Sequence, residues 1–159
     1  MTLYTNVHFT KPLDLKKPLT IRSVEEPQQL EEVHRIREIV FIKEQNVPRD
    51  REYDEFEDQS THFLACIDGN PVGCGRIRSY GESVKIERLA VLKEFRKMGV
   101  GTSIMKRLEE EAMKLDPMEL ILHSQVSAMD FYRSCGFRER GKVFLDAGID
   151  HMEMYKEIR

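Results

Sequence analysis

ERLAVLKEFRKMGVGTSIMKRL, residues 87–108, joins a strand pattern to a helix pattern through a basic turn that contains two glycines. The amide groups at a helix N-terminus lack intrahelical partners and lie at the positive end of the helix dipole, so they bind anions well. Glycine lets the backbone approach a ligand without a Cβ in the way. The stretch therefore predicts a phosphate or pyrophosphate site between a strand and a helix.

Two other phosphate-binding motifs do not fit this turn. A P-loop needs Gly, four residues and then Gly-Lys-Ser/Thr, and the chain contains no such string. The dinucleotide fingerprint needs a third Gly or Ala where the chain has Ile104. Gly73-Cys74-Gly75 fails the same requirement and falls inside a strand pattern. ATP and NAD are therefore weak candidates, and a tight turn that needs glycine for its backbone angles is the structural alternative.

Length and composition indicate one globular domain. The chain has 159 residues, of which 40% are hydrophobic and 33% charged, and it carries a net charge of −3. This charge argues against nucleic acid as the main partner, and no apolar run is long enough to span a membrane. The three cysteines fit no metal-ligand spacing, and Met1–Thr20 lacks the apolar core of a signal peptide. We therefore expect a cytoplasmic protein with reduced thiols and no metal.

Hydrophobic periodicity predicts seven strands and three helices. The predicted strands are Leu19–Val24, His62–Asp68, Val72–Ser79, Val84–Val91, Met118–Ser124, Arg138–Leu145 and His151–Glu157. The predicted helices are Gln28–Lys43, a helix from Val100 that Pro117 ends, and Ser127–Ser134 with Gly136 at its C-terminal cap. Residues 46–59 are expected to form a polar, acidic loop. This order of elements predicts a mixed α/β sheet.

Two motifs resemble those of the GNAT acyl-CoA N-acyltransferases. Arg96–Gly101 (RKMGVG) matches the family's Arg/Gln-x-x-Gly-x-Gly/Ala turn between a strand and a helix. Ala128–Phe137 (AMDFYRSCGF) contains the Phe-Tyr and Gly-Phe pairs of the family's downstream signature. Both motifs occur in order, with a strand between them, and the resemblance covers about Leu19–Tyr155. Val40–Pro48 and Gly148–His151 are similar to a subgroup of small uncharacterised acetyltransferases within that family.

The resemblance implies a fold and a cosubstrate site. The fold is a mixed, mostly antiparallel central sheet of about six to seven strands flanked by helices, formed by residues 19–159 after an N-terminal extension of residues 1–18. In the family, the strand before the turn pairs with the pantetheine arm of acetyl-CoA and the turn holds its pyrophosphate. The residues so implied here are Leu89, Ala90, Val91, Arg96, Lys97, Met98, Gly99, Val100, Gly101, Thr102, Gln125, Ala128, Phe131 and Tyr132. Gln125 stands where the family usually has Asn, which changes the reach of that amide.

Acetyl transfer to an amine needs a base for the ammonium, a donor for the oxyanion and an acid for the leaving thiolate. The resemblance implies Tyr132 as the acid and a backbone N–H near Val91 as the oxyanion donor. Glu87 is the leading candidate for the base, because in an unbroken strand it faces the same way as Leu89 and Val91. A strand bulge would change that face. His123 is the rival, since a histidine pKa near 6.5 suits a base, although a lone strand histidine is more often simply packed.

The acceptor is expected to be a primary amine of a small molecule. The acidic loop Asp50–Asp58 either attracts a cationic amine, with Tyr53 and Phe56 as an apolar wall, or is a solvated charged loop. A protein lysine or N-terminus as acceptor, and a regulatory acyl-CoA-binding domain without catalysis, are the alternatives. The sequence predicts no nucleic acid and no membrane as partners, and it leaves a homodimer open.

Overall fold

Seven strands form one sheet in the computed structural model, which describes residues 13–159. The strands are β1 (Leu19–Ser23), β2 (Thr61–Ile67), β3 (Asn70–Tyr80), β4 (Ser83–Val91), β5 (Glu119–Gln125), β6 (Arg138–Asp146) and β7 (Ile149–Glu157). Their order is β1-β2-β3-β4-β5-β7-β6, and all neighbouring pairs are antiparallel except β4 and β5. The predicted mixed, mostly antiparallel sheet is confirmed. The predicted extension, residues 1–18, lies largely outside the described residues, and the single-domain assignment stays a prediction.

Four α-helices accompany the sheet, and the first differs from its prediction. They are α1 (Pro27–Arg37), α2 (Arg49–Glu52), α3 (Val100–Met113) and α4 (Met129–Ser134). The helix predicted to run to Lys43 changes at Glu38 into a π-helical segment, Glu38–Glu44. The Gln45 N–H then donates to the Val40 carbonyl, five residues back, at 3.2 Å. The predicted loop 46–59 contains α2 and the short 3₁₀ turn Glu57–Gln59.

The glycines of β3 allow α3 to pack closely on the sheet. A Cβ at Gly73 would lie 2.8 Å from Ile104 Cδ1 and 2.9 Å from the Ala90 carbonyl oxygen. A Cβ at Gly75 would lie 2.8 Å from Leu108 Cδ1. The Gly73-Cys74-Gly75 pattern is therefore a packing feature, since the two glycines face α3 and leave it room against the strands.

A bulge interrupts β4 where it pairs with β3. Arg76 pairs with Glu87 and Cys74 pairs with Ala90, so two residues of β4 stand opposite one residue of β3. Cys74 and Arg76 are two residues apart on β3 and therefore share a face. Their partners, Ala90 and Glu87, consequently point to the same side of the sheet. Val91 is the partner of Gly73 and therefore points to the opposite side. The expectation that Glu87 and Val91 share a face is wrong, because the strand is not unbroken.

From Glu87 onwards, β4 separates from β5. The parallel ladder joins these strands only through Val84 with Leu120, Lys85 with Ile121 and Ile86 with Leu122. From Glu87 to Val91, the edge of β4 that faces β5 has no ladder partner, whereas β5 continues to pair with β7 as far as Gln125. The separation opens a cleft in the middle of the sheet.

Candidate active site

A cavity of about 210 Å³ lies in the cleft between β4 and β5. Its walls come from segments 41–47, 51–52, 86–89, 122–132 and 146–151. The two segments that resemble the acetyltransferase subgroup contribute to these walls. Val40–Pro48 supplies Phe41, Gln45 and Val47, and Gly148–His151 supplies Ile149 and His151. Sequence reasoning noted both segments but did not place them in the site, because only the fold brings them to the cleft.

Tyr132 lies on α4 and lines this cavity. Its ring packs edge-to-face against Phe131, with 5.0 Å between the ring centroids, and against Phe137 at 6.4 Å. No group of residues 13–159 forms a hydrogen bond with its hydroxyl, so this O–H is available to a ligand. Burial raises the pKa of Tyr132 well above its ordinary value. The side chain is therefore a protonated donor at neutral pH.

The basic turn leads directly into the N-terminus of α3. Lys97 and Gly99 both adopt left-handed backbone conformations, with φ of 63° and 82°. Lys97, Met98, Gly99 and Thr102 are exposed, whereas the Val100 side chain is buried in the core. A ligand at this turn would therefore contact backbone amides and basic side chains. A Cβ at Gly99 would meet no heavy atom within 4 Å, so the space over the turn is open.

Gly101 is close to the aromatic side chains of α4. A Cβ there would lie 3.3 Å from Cζ of Phe131, the neighbour of Tyr132, and 3.9 Å from Cγ2 of Val91. The absence of a Cβ at Gly101 thus makes room for an aromatic ring, and its place among the CoA-binding residues stays a prediction. Of the other implied residues, Leu89 and Ala128 line the cavity, and the Ala90 methyl group is buried.

Arg96 and Gln125 both bond to the end of the π-helical segment. The two Nη atoms of Arg96 donate to the Glu44 carboxylate at 2.6 and 2.8 Å, and its Nε donates to the Val91 carbonyl at 2.9 Å. Nε2 of Gln125 donates to Gln45 Oε1 at 2.7 Å. Glu44 and Gln45 therefore connect the two strands on either side of the cleft, a function that no sequence motif indicated.

Glu87 and His123, the two candidates for the base, differ in their surroundings. The Glu87 carboxylate lies 2.7 Å from Arg76, 3.1 Å from Arg78 and 3.4 Å from Lys85. Burial alone would raise its pKa, but the hydrogen bonds and charges of the two arginines outweigh burial and lower it. A carboxylate held in this way is a poor proton acceptor. Its role as the base stays a prediction.

His123 reaches the same cavity from β5. Its Nε2 lies 3.3 Å from Glu153 Oε1, and its ring packs edge-to-face against Phe144 at 5.1 Å. Burial, followed by the positive charge of Lys85, lowers the pKa of His123 below its ordinary value, although Glu153 acts in the opposite direction. The imidazole is thus uncharged at neutral pH and able to accept a proton.

Three carboxylates of the acidic loop, Glu52, Asp54 and Glu57, are held in ion pairs, whereas its other acidic residues are exposed. Nine charged side chains form one connected set of ion pairs, here called the ion cluster. Its members are Arg37, Arg76, Arg78, Lys85 and Arg88 with Glu52, Asp54, Glu57 and Glu87. The side chains of Arg37 and Arg76 are fully buried, and Glu52 is 3% exposed. The loop carboxylates of the cluster therefore already have cationic partners.

Other kinds of site are not evident in the described chain. Across residues 13–159, no three His, Cys, Asp or Glu side chains are grouped so that they could hold a metal ion. The described helices are all too short or too polar to cross a membrane. Cys66, Cys74 and Cys135 are free thiols.

This sheet and cleft define the fold of the GNAT acyl-CoA N-acyltransferases, as solved structures show. A putative N-acetyltransferase from Lactobacillus plantarum matches with a TM-score of 0.81 at 22% identity, over 87% of this chain and 97% of the other. An acetyltransferase from Bacillus subtilis, solved in complex with CoA, matches with a TM-score of 0.69 at 19% identity, over 89% of this chain and 100% of the other.

The chain belongs to the GNAT acetyltransferase family. The family model described as "Acetyltransferase (GNAT) domain" matches residues 24–158. The chain is 44% identical over 131 residues to the uncharacterized N-acetyltransferase YjcF of Bacillus subtilis, covering 82% of this chain and 94% of that protein. It is 30% identical over 135 residues to protein ElaA of Escherichia coli, covering 82% and 88%. The family resemblance carried by the two motifs is confirmed, and the enzyme class is that of an acyltransferase.

We expect the ion cluster to make the fold sensitive to acid. Burial would raise the pKa of Glu57, but Arg37, with His34 and Arg76, outweighs burial and lowers it to about 2, from an ordinary value of 4.5. Its contribution to stability is therefore complete above about pH 5 and is lost as the pH falls towards 2. Urea unfolding should show the stability difference between wild type and Glu57→Gln shrinking by about 2 kcal/mol from pH 6 to pH 3.

Asp58→Asn is the control for this experiment, because Asp58 is an exposed carboxylate next in sequence. Its stability difference from wild type should stay constant over the same range. A Glu57→Gln difference that does not change with pH would contradict the account of the cluster.

Proposed function

We propose that this protein transfers an acetyl group from acetyl-CoA to a primary amine of a small molecule. The observation that carries the proposal is the separation of β4 from β5 after Ile86. It leaves the backbone edge of β4 free, with the N-terminus of α3 beyond one end of the strand and the unpaired Tyr132 hydroxyl in the adjoining cavity. A cavity of about 210 Å³ suits a small acceptor better than a folded polypeptide.

The residues around the cleft fit acetyl-CoA. The exposed turn would hold the pyrophosphate through the amides of Gly99–Thr102 and the charge of Lys97, whereas Arg96 would have to leave Glu44 to contribute. The edge of β4 at Leu89–Val91, where the Val91 carbonyl already accepts from Arg96 Nε, would hydrogen-bond to the pantetheine arm through its remaining backbone groups. The structural neighbour from Bacillus subtilis was solved with CoA, which supports this use of the shared fold. Acetyl-CoA supplies an activated thioester, and the residues of the chain orient it beside Tyr132.

Two proton transfers are assigned to side chains of the cavity. The acceptor nitrogen attacks the thioester carbonyl and loses its proton to a base, while the C–S bond breaks and the thiolate takes the Tyr132 proton. A backbone N–H near Val91 would stabilise the oxyanion between these steps. Of the two candidate bases, His123 has the stronger claim, because its imidazole is uncharged and bonds to Glu153, whereas arginines hold Glu87 as a carboxylate.

The turn can be tested by CoA binding. Any side chain at Gly99 would be strained, because its φ is 82°, and would project into the open space proposed for the phosphates. We expect Gly99→Val to weaken CoA binding at least tenfold by isothermal titration calorimetry. Gly81→Val is a matched control, since Gly81 also has a positive φ (60°) and open space around it, but lies in the β3–β4 hairpin. Equal CoA affinity in the two variants would remove the turn from the site.

The chemistry can be tested by thiol release from acetyl-CoA with a panel of primary amines. We expect His123→Gln to lower kcat/KM about a hundredfold and to remove the decline in rate at acidic pH, because protonation of His123 no longer contributes to it. Glu87→Gln should retain that decline. The reverse pattern would assign the base to Glu87. CoA binding without release of thiol from any amine would instead indicate a non-catalytic acyl-CoA-binding domain.

A further inference from the structure

We infer that the acceptor amine also carries a carboxylate and that Arg88 binds this carboxylate in the cavity. The inference rests on the proposed function, because it names the substrate class of the same site. Three observations support it: the hydrogen bonding of the Arg88 guanidinium, the backbone conformation that directs this side chain, and the charge of the ion cluster.

The Arg88 guanidinium lines the cavity and has unused donors. Nη2 donates to Asp54 Oδ2 and to the Glu52 carbonyl, both at 3.1 Å, and to the Arg51 carbonyl at 3.4 Å. Nε is buried without a hydrogen bond, although it lies 3.2 Å from Glu52 Oε1. The described residues offer no acceptor to Nη1. The two N–H groups of Nη1 are therefore the donors that a ligand carboxylate can use.

The backbone at Arg88 is held in an unusual conformation. Its φ is 57°, in the left-handed region that non-glycine residues rarely occupy. The bulge of β4 imposes this conformation and, in doing so, turns the side chain towards the cavity and the loop that contains Glu52 and Asp54. Residues held in sparsely populated backbone conformations cluster at active sites and ligand-binding positions.

The charges of the ion cluster do not balance. It contains five cationic side chains and four carboxylates, so every cation has a carboxylate neighbour but the cluster carries one positive charge in excess. Outside the ion cluster, the cavity wall contains one further arginine and one further carboxylate. These two residues, Arg51 and Asp146, pair with each other at 2.7 Å. A single ligand carboxylate would supply the missing charge, and Arg88 is the cluster arginine with free donors at the cavity. This reverses the expectation that the site attracts its acceptor through acidic residues.

The substrate class is therefore a small zwitterionic amine of amino-acid size. The carboxylate would fix one end of the molecule at Arg88, and the amino group would reach the part of the cavity that Tyr132 and His123 line. No additional chemical step follows from this inference, since Arg88 orients the acceptor and transfers no proton.

The test compares matched pairs of amines that differ by an anionic group. The pairs are L-lysine with cadaverine, L-phenylalanine with phenethylamine, and O-phosphoethanolamine with ethanolamine. Binding to the enzyme in the presence of saturating CoA is measured by calorimetry, so that no acetyl transfer is needed. The proteins are wild type, Arg88→Gln, Arg88→Lys and the control Arg49→Gln, whose arginine is 61% exposed and pairs with Glu38 outside the cavity.

We expect at least one carboxylate-bearing amine to bind at least tenfold more tightly than its neutral partner. Arg88→Gln should remove this difference, and Arg88→Lys should restore part of it, because lysine keeps the charge but not the planar fork. Arg49→Gln should retain the difference. CoA affinity serves as the check that each variant is folded, and Arg88→Lys carries the test if Arg88→Gln fails that check.

The carboxylate assignment is overturned if neutral amines bind as tightly as their carboxylate partners, or if the Arg88 variants keep the preference. A response to O-phosphoethanolamine alone would also overturn it, since the anion would then be a phosphate. Failure of the proposed function has a different signature. A carboxylate-bearing amine that binds through Arg88 but releases no thiol from acetyl-CoA would support the anion site and contradict acetyl transfer.

Discussion

The bulge in β4 at residues 88–89 is the constraint on which the site depends. An extra residue bends and twists a strand, and β4 parts from β5 immediately after the last ladder pair, Ile86 with Leu122. The register places Glu87 directly opposite Arg76, and the bulge directs Arg88 to the cavity wall. One local departure from regular strand geometry thus opens the cleft, supplies a free backbone edge and places the charged residues beside it.

The ion cluster connects this cleft to the rest of the fold. Arg37 comes from α1, Glu52 from α2, Arg76 from β3 and Glu87 from β4, so the pairs join elements that are far apart in the sequence. Buried ion pairs contribute little net stability, because the desolvation of the charges offsets their attraction, but breaking one pair is costly. The cluster therefore fixes the relative positions of the elements around the cavity and holds the loop 53–59 against the sheet.

The parts of this structure that follow from local patterns could be predicted from the sequence. Alternating strand patterns predicted the sheet, and the glycine turn before α3 and the Phe-Tyr motif around Tyr132 predicted the family; anion binding at the turn stays a prediction. The possibility of a bulge was raised but its position was not predicted, although the apolar alternation changes phase between Ile86 and Leu89. The ion cluster was missed because arginine is usually solvated. Arg76, in the middle of the buried run VGCGRI, was the available signal.

The central claim is that CoA occupies the separation between β4 and β5. A titration of the isotope-labelled protein with CoA, followed by backbone amide NMR, tests it residue by residue. The account predicts that the largest shift changes fall on Leu89–Val91, on Gly99–Thr102 and around Tyr132, while the β3–β4 hairpin at Gly81 and strand β1 change little. Changes concentrated at that hairpin, or absent from Leu89–Val91 and Gly99–Thr102, would contradict it.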